Sequence, residues 1–370
     1  MEPQNNQPHY HMIDYIHEAP GALARTLQAN EAAVLDLAAQ VKTRGIQRIV
    51  ISGVGSSYTA AVIAEPLFKR FSPVPVYVLP STEIGAYTPG LVDAHTLIVA
   101  VSRSGERGWV VESFLEAVRR GALGAAVTGS PKGLLAQNAP QVLLTAEGPE
   151  TTFPKTKSVV TCAGLLARFA LALAAPGDAE AADALAELRQ APEALERILQ
   201  ACEPQVQALV PRLHHYHSMM LAGTLGNYGV ALEGTLKMQE ASGLVVIGNE
   251  TGNMLHGPWG TITPDWLVTL LVTAYDRALS EVVLGLAGKI GARRLAFVEP
   301  GIDPSSRAED VIALPVKASP LLAGLSFLPP IQLLTYYWAV EGGLDPDSPA
   351  NMQAIYDAML PPGRHEPEMG

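Results

Sequence analysis

The sequence predicts an α/β protein made of two similar halves, each a five-stranded parallel sheet flanked by helices. From residue 36 onward, short β-branched runs alternate with helical patterns, which is typical of parallel strands connected by helices. A second series of the same kind follows residue 210. In both series the first strand leads into a glycine-containing turn, and the third strand follows about fifty residues after the first. The halves are therefore predicted to be copies of one unit.

The strand predictions divide the chain into segments. Strands are expected at 49–52, 74–78, 97–101, 123–127 and 142–145, and again at 218–222, 244–247, 267–273, 294–298 and 311–315. Residues 177–202, rich in Ala, Glu and Leu, are predicted to be helical. The resulting segments are an N-terminal arm and a helix that begins near Pro20 (1–35), a first sheet domain (36–176), connecting helices (177–208), a second sheet domain (209–343) and a proline-containing, extended or turn-like tail (344–370).

Composition restricts the class of protein. With 370 residues, 48% of them hydrophobic, the chain can bury a large core. The net charge of −11 argues against a nucleic-acid partner. No apolar run is long enough to span a membrane, and the first twenty residues lack the pattern of a secretory signal. The cysteines, Cys162 and Cys202, fall in segments predicted to be helical, which suits a reducing compartment. We expect a cytoplasmic protein without nucleic-acid or membrane partners.

Two predicted strands of the first half end in turns rich in serine and glycine. One turn alone would mark only a loop. Parallel sheets, however, bind ligands at the carboxyl ends of their strands, where backbone N–H groups at helix starts can hold a phosphate. The pair therefore predicts one phosphate site, with candidate ligands Gly55, Ser56, Ser57, Ser102, Arg103, Ser104 and Arg107. An arginine can grip a phosphate with two hydrogen bonds, but the guanidinium of Arg107 can equally point into solvent.

The second half lacks this pair of turns. Its third strand ends in Thr273-Ala274-Tyr275-Asp276, without serine. Its first turn, Gly223-Thr224-Leu225-Gly226, is interpreted as a simple bend from strand to helix. We therefore place the phosphate in the first half.

Three charged residues of one predicted helix share a face. Glu233, Lys237 and Glu240 are spaced i, i+4 and i+7. As a surface feature, such an ion pair would contribute only about 0.3 kcal/mol. A glutamate beside an apolar wall can instead have a raised pKa and can accept and return a proton near neutral pH. His256, sixteen residues after Glu240 and followed by Gly-Pro, belongs to the residue type best suited to proton transfer at that pH.

Neither a metal nor a nucleotide is expected. In the cluster His214-His215-Tyr216-His217, adjacent side chains before a strand would point to opposite faces, and no cysteine or carboxylate lies at ligand spacing. A dehydrogenase is disfavoured because no G-x-G-x-x-G turn with a downstream acidic residue is present.

With the two serine turns, the duplicated sheet and the segment 231–240, the chain resembles the double sugar-isomerase (SIS) domain proteins, from residue 17 to Asn351. These include the isomerase half of glutamine-using synthases and stand-alone ketose–aldose isomerases, deaminases and deglycases. The resemblance implies two tandem flavodoxin-like domains and a sugar phosphate as ligand. It also implies isomerisation or isomerising deamination of a 6-phosphorylated sugar or amino sugar, without a cofactor.

The resemblance also assigns roles to residues. Ser56, Ser57, Ser102 and Ser104, with neighbouring amides, would hold the phosphate, and the loop 150–158, including Lys157, would line the sugar pocket. Glu240 would move the proton between adjacent carbons, with Lys237 as a second catalytic candidate and Glu233 as a substrate-binding one. His256 would assist ring opening in the pocket of a neighbouring subunit, which implies a homodimer.

Several positions depart from the family pattern. Arg103 and Arg107 replace a glutamine and a threonine, Asn253 replaces a glutamate, and Ala354 stands where the synthases carry the lysine that forms a Schiff base. A methyl group cannot act as an amine nucleophile, so imine chemistry through that position is excluded. The chain starts Met1-Glu2, without the cysteine of an amidotransferase domain, so glutamine hydrolysis by that route is not expected. The alternative is a non-catalytic, phosphosugar-binding or regulatory module.

Overall fold

The computed structural model of the chain describes residues 9–84, 88, 90–106, 108–303, 307–352 and 354. Arg107, a predicted phosphate ligand, lies outside the described residues. Within them the chain forms two parallel five-stranded sheets. The first contains β1 (Arg48–Gly53), β2 (Val76–Pro80), β3 (Thr96–Val101), β4 (Leu123–Thr128) and β5 (Gln141–Leu144). The second contains β6 (Ser218–Gly223), β7 (Val245–Glu250), β8 (Trp266–Val272), β9 (Arg293–Val298) and β10 (Asp310–Ala313).

Both sheets have the same strand order. The first runs β2-β1-β3-β4-β5 and the second β7-β6-β8-β9-β10, which is the order of flavodoxin-like folds. Each order reverses beside its first strand, between β1 and β3 and between β6 and β8. The duplicated α/β architecture predicted from the sequence is thereby confirmed. Because ligands bind at such reversal points, the first sheet presents its switch point at the ends of β1 and β3.

Helices cover and connect the sheets. They are α1 (His11–Ala29), α2 (Glu31–Thr43), α3 (Ser56–Phe71), α4 (Trp109–Arg119), α5 (Leu134–Asn138), α6 (Lys157–Ala172), α7 (Ala179–Leu213), α8 (Gly226–Ala241), α9 (Arg277–Ile290) and α10 (Ala323–Glu341). The segment predicted to connect the halves is the long helix α7. Cys162 in α6 and Cys202 in α7 are buried free thiols. Among the described residues, no helix is long and apolar enough to cross a membrane.

The two halves meet where α3 packs against α8 at very short range. A Cβ atom added at Gly229 of α8 would lie 2.5 Å from the backbone nitrogen of Ile63 in α3. A Cβ added at Gly226 would lie 2.9 Å from the carbonyl oxygen of Ile63. Only glycine allows the two backbones to approach this closely. This contact brings side chains of α8 to the first turn of α3.

The first helix begins earlier than predicted. Proline is favoured in the first turn of a helix, so the sequence placed the start near Pro20, but α1 begins at His11 and contains Pro20 in its interior. The Asp347 carboxylate accepts hydrogen bonds from the N–H groups of His11 and Met12, at 2.7 and 2.8 Å. This cap is supplied by a residue from the other end of the chain. It satisfies two of the free donors that every helix start carries.

A polar contact between α1 and α7 predicts a pH-dependent stability. His17 lies 3.2 Å from Glu203, whose hydrogen bond raises the pKa of His17, while His17 lowers the pKa of Glu203. The contribution of His17 is complete below its ordinary value of 6.5 and is lost as pH rises through the raised pKa. The contribution of Glu203 to stability is complete above pH 4.5, the ordinary value, and is lost as pH falls through the lowered pKa. The pair therefore stabilises most between these values.

Because both side chains are partly exposed, the effect should stay below about 1 kcal/mol. We expect the His17→Gln variant to lose part of its thermal stability at pH 5.5 and less of it at pH 8.5, as measured by thermal unfolding beside the wild type. An equal loss at both pH values would contradict this account.

Candidate functional site

The first turn joins β1 to α3 through two glycines. At Gly53 an added Cβ would lie 2.8 Å from the backbone of Ser57 and Tyr58, so a side chain does not fit. Gly55 has φ 54° and precedes Ser56, the first residue of α3. Ser56 and Ser57 therefore stand at the start of a helix that points its free N–H groups toward the end of the sheet. This arrangement can bind an anion.

The corresponding turn of the second half keeps the same backbone shape. Leu225, at φ 54° and ψ −128°, matches Gly55, at φ 54° and ψ −132°. Leucine rarely adopts this conformation, which costs of order 1–3 kcal/mol. The turn interpreted from the sequence as a simple bend is thus a strained copy of the first turn.

The second turn follows β3 and is held by its own polar groups. The hydroxyl of Ser102 accepts a hydrogen bond from the N–H of Gly105 at 3.1 Å, and Gly105 has φ 59°. The carbonyl of Arg103 accepts from the N–H of Gly129 at 3.0 Å. Ser104 is exposed. Ser102, Arg103 and Ser104 therefore lie at the end of β3, next to the switch point.

The charged residues of α8 are buried or partly buried and are connected to the first turn. Glu233 is fully buried, and the side chains of Lys237 and Glu240 are 1% and 14% exposed. The hydroxyl of Ser56 donates to Glu233 at 3.1 Å, which joins the first turn of one half to α8 of the other. Lys237 forms an ion pair with Glu240 and lies 3.7 Å from Glu233. The contacts of Lys237 with Glu233 and Glu240 therefore differ from those of a solvent-exposed ion pair on a helix surface.

The pKa values of Glu233 and Lys237 are both raised. Burial raises the pKa of Glu233 to about 7, against the opposing effect of Lys237 and of the hydrogen bond from Thr59. For Lys237, burial favours the neutral form, but Glu233 and Glu240 outweigh it and the pKa is raised. Lys237 is therefore protonated at neutral pH, while Glu233 can hold or release a proton there.

The loop between β5 and α6 is fixed by Glu150. Its carboxylate accepts hydrogen bonds from the N–H groups of Thr156 and Lys157, at 2.7 and 2.9 Å, and so caps α6. The buried amine of Lys157, predicted to line the pocket, is held by Glu18 of α1 at 2.5 Å and lies 4.3 Å from the ring centre of Tyr15. The structure therefore ties Lys157 to α1.

Arg103 links the second turn to the same loop. Its guanidinium lies 3.8 Å from both Glu147 and Glu150, and both carboxylates are nearly fully buried. The Nε atom of Arg103 is itself buried without a hydrogen-bond partner among the described residues. Burial raises the pKa of Glu147, against the smaller effect of Arg103. Arg103 therefore has unused hydrogen-bonding capacity beside the predicted phosphate position.

Within one chain, His256 makes no hydrogen bond or ion pair with the charged residues of α8. It is exposed on the turn after β7 and follows Asn253, whose N–H donates to Glu250 at 3.0 Å. The sequence had placed His214, His215 and His217 near the start of a strand. In the structure His214 follows the last residue of α7, four residues before β6 begins at Ser218, and its ring lies 5.6 Å from that of Trp338.

Two residues of the candidate site, Thr59 and Glu147, were not predicted from the sequence. Thr59 donates to Glu233 and lies one turn after Ser56, on the same face of α3, which is the signal that could have indicated it. Glu147 precedes the loop 150–158, and no motif surrounds it in the sequence. Its role is visible only from its distance to Arg103.

Comparison with known proteins identifies relatives of this fold. Residues 30–172 match the SIS domain family. Glutamine–fructose-6-phosphate aminotransferase (isomerizing) of Thermus thermophilus is 30% identical over 358 residues, which cover 93% of this chain and 58% of that protein. The chain therefore spans less than two thirds of the length of this relative.

Solved structures show the same fold along nearly the whole chain. The C-terminal domain of glucosamine-fructose-6-phosphate aminotransferase from Francisella tularensis has a TM-score of 0.84 at 24% identity, covering 94% of this chain and 99% of that one. Glucosamine-6-phosphate deaminase from Thermotoga maritima has a TM-score of 0.74 at 19% identity, covering 91% and 96%. The family match, the paired serine turns and the first sheet agree, and residues 30–172 form a SIS domain.

Proposed function

We propose that this protein moves a proton between adjacent carbons of an open-chain, 6-phosphorylated sugar or amino sugar, in an isomerisation or an isomerising deamination. The observation that carries the proposal is the group of buried Glu233, buried Lys237 and partly buried Glu240, joined to the first turn by the 3.1 Å hydrogen bond from Ser56. A phosphate held at the two turns would lie next to a buried carboxylate and ammonium. This combination suits proton abstraction beside a carbonyl group.

In the proposed mechanism Glu240 is the base. It takes the proton from the carbon next to the carbonyl and returns it to the neighbouring carbon. The ammonium of Lys237, which pairs with Glu240, orients that carboxylate and favours negative charge developing on the sugar oxygens. Glu233, with a pKa near 7, holds Lys237 from the other side. Ser56 and Thr59 fix Glu233 in turn.

The names of the relatives support the substrate class. The Thermus thermophilus protein is named for fructose 6-phosphate and the Thermotoga maritima protein for glucosamine 6-phosphate. Helix starts and serine hydroxyls at the two turns can bind the shared phosphate. The partly exposed guanidinium of Arg103 offers an additional, charged donor.

A ligand panel tests the substrate class. We expect 6-phosphorylated hexoses and hexosamines to raise the melting temperature and the same sugars without phosphate to leave it unchanged. The Arg103→Gln variant, which keeps a donor but removes the charge, should lose part of this shift. Conversion of each stabilising compound is then followed by nuclear magnetic resonance. Equal shifts with and without the phosphate would contradict the proposal.

We further propose that the protein acts in the cytoplasm as a homodimer in which His256 serves the partner's site, since it is exposed and makes no hydrogen bond or ion pair with Glu240 in its own chain. Mixed dimers test this arrangement. Co-expressed Glu240→Gln and His256→Ala chains should recover about one quarter of wild-type activity, because half of the dimers contain one intact site. If both residues serve the site of their own chain, the mixture should stay as inactive as the separate variants.

A further inference from the structure

Two buried carboxylates lie beside the turn at which an anion is expected to bind. Glu147 and Glu150 follow β5, and one oxygen of each lies 3.8 Å from the Nε atom of Arg103 in the second turn. A carboxylate repels a phosphate, so neither acid is suited to be a direct ligand. Because both acids approach the same atom of Arg103, we expect them to act on a ligand through this arginine.

The guanidinium of Arg103 has a buried side and an accessible side. Its Nε is fully buried and has no hydrogen-bond partner among the described residues, whereas the side chain as a whole is 26% exposed. At 3.8 Å, the contacts of Nε with the two acids are ion pairs without a hydrogen bond. The Nη atoms donate to none of the described residues. The acids therefore attract the Nε side and leave the Nη atoms available for a ligand.

The main chain of Arg103 is fixed by the end of β4. Its carbonyl oxygen accepts hydrogen bonds from the hydroxyl of Thr128 at 3.1 Å and from the N–H of Gly129 at 3.0 Å. Several rotatable bonds separate this fixed backbone from the guanidinium, and each of them costs entropy when it is ordered. The carboxylates of Glu147 and Glu150 supply the contacts that restrain the far end of the side chain.

Glu147 and Glu150 are themselves held in different ways. A Cβ atom added at Gly129 would lie 2.2 Å from Oε1 of Glu147, so this carboxylate occupies the space that a side chain would fill. The Oε1 atom of Glu150 caps α6, by accepting from the N–H groups of Thr156 and Lys157. Replacing Glu150 would remove this cap as well. Glu147 is therefore the acid on which the arrangement can be tested.

We propose that Glu147 is a positioning residue of the phosphate site, which with Glu150 holds the Nε side of Arg103 so that its Nη end faces the phosphate of a bound sugar. The inference rests on the proposed function and assigns no contact between Glu147 and the ligand. Arginine offers two parallel N–H donors to a phosphate only when its planar group is correctly oriented. Orientation before binding reduces the cost of ordering this long side chain, and so favours phosphorylated over unphosphorylated sugars.

The Glu147→Gln variant separates positioning from simple electrostatics, because the two predict effects of opposite sign. Loss of a nearby negative charge alone should tighten the binding of an anion. Loss of the orienting acid should weaken it. We expect the dissociation constant of fructose 6-phosphate or glucosamine 6-phosphate, measured by calorimetry, to rise about three- to tenfold, with turnover at saturating substrate unchanged. Glu106→Gln is the matched control, since Glu106 is an exposed acid of the same turn and its loss should not weaken binding.

A double-mutant cycle tests whether Glu147 acts through Arg103. In the Arg103→Gln background, Glu147→Gln should cause no further loss of affinity, because the side chain that it orients is absent. A merely structural role would weaken binding by the same factor in both backgrounds. Glu147→Asp keeps the charge but shortens the side chain, so its affinity should lie between those of the wild type and Glu147→Gln. This variant carries the cycle if thermal unfolding shows that Glu147→Gln does not fold.

Unchanged or tighter binding by Glu147→Gln, or an equal loss in both backgrounds, overturns the positioning role. Binding of the sugar phosphates by the wild type reports separately on the proposed function. If the wild type binds them and Arg103→Gln binds them equally well, the role of Glu147 falls and the proposed function stands. If the wild type binds none of the phosphorylated sugars, both fall together.

Discussion

The Glu240→Gln variant is expected to lose activity by a factor of about 100 to 10,000, the usual contribution of a positioned general base. The amide has nearly the same shape but cannot accept the proton. The phosphate turns contain no atom of Glu240, so binding of the sugar phosphate should change little. Turnover is measured by nuclear magnetic resonance and binding by calorimetry.

Glu65→Gln is the matched control. Glu65 lies on α3, the corresponding helix of the first half, and pairs with Lys69 at 3.0 Å with the i, i+4 spacing. Because this pair is partly exposed, its loss should alter activity by no more than about twofold. Similar losses in both variants, or full activity of Glu240→Gln, would contradict the role proposed for Glu240.

Gly229→Ala should cause the largest loss of stability among small substitutions at the contact between the halves. Its Cβ would lie 2.5 Å from the backbone nitrogen of Ile63, so α3 and α8 would have to move apart. Overpacking of this kind costs about 1–3 kcal/mol. Activity should fall further than stability explains, since the shift separates Ser56 from Glu233. Urea unfolding and turnover of the folded variant measure the two effects.

Replacing Gly285 by alanine should have the opposite effect on stability. Gly285 lies within α9, and an added Cβ would approach Arg307 no closer than 3.6 Å, an ordinary contact. Alanine is favoured over glycine inside a helix by roughly 0.5–1 kcal/mol, so Gly285→Ala should stabilise the protein. Equal effects of the two substitutions would refute the explanation from close helix contact.

Local patterns made the architecture predictable. Apolar runs such as 97–101 are buried along their whole length, and their alternation with helices is visible in the sequence. The start of α1 was mispredicted because its cap comes from Asp347, more than 300 residues away along the chain. The shape of the turn at Leu225 was missed because leucine gives no sign of a positive φ.

The candidate site was predictable in its elements but not in its connections. Glycine and serine at strand ends indicated the two turns, and the i, i+4, i+7 spacing indicated a common face for the α8 residues. The contact of Thr59 with Glu233 joins residues 174 positions apart, and no local pattern encodes it. The partners of Lys155 and Lys157 likewise depend on how the loop folds, so the sequence could not show that one amine contacts main-chain carbonyls and the other a carboxylate.

The most direct measurement is deuterium incorporation from heavy water into a sugar phosphate that the wild-type protein binds. Proton transfer by Glu240 predicts deuterium at the carbon next to the carbonyl, even where no net conversion is seen, because the base exchanges its proton with solvent between transfers. Tight binding of 6-phosphorylated sugars without deuterium in any of them would contradict the catalytic account. That outcome would identify the protein as a module that binds phosphosugars without transforming them.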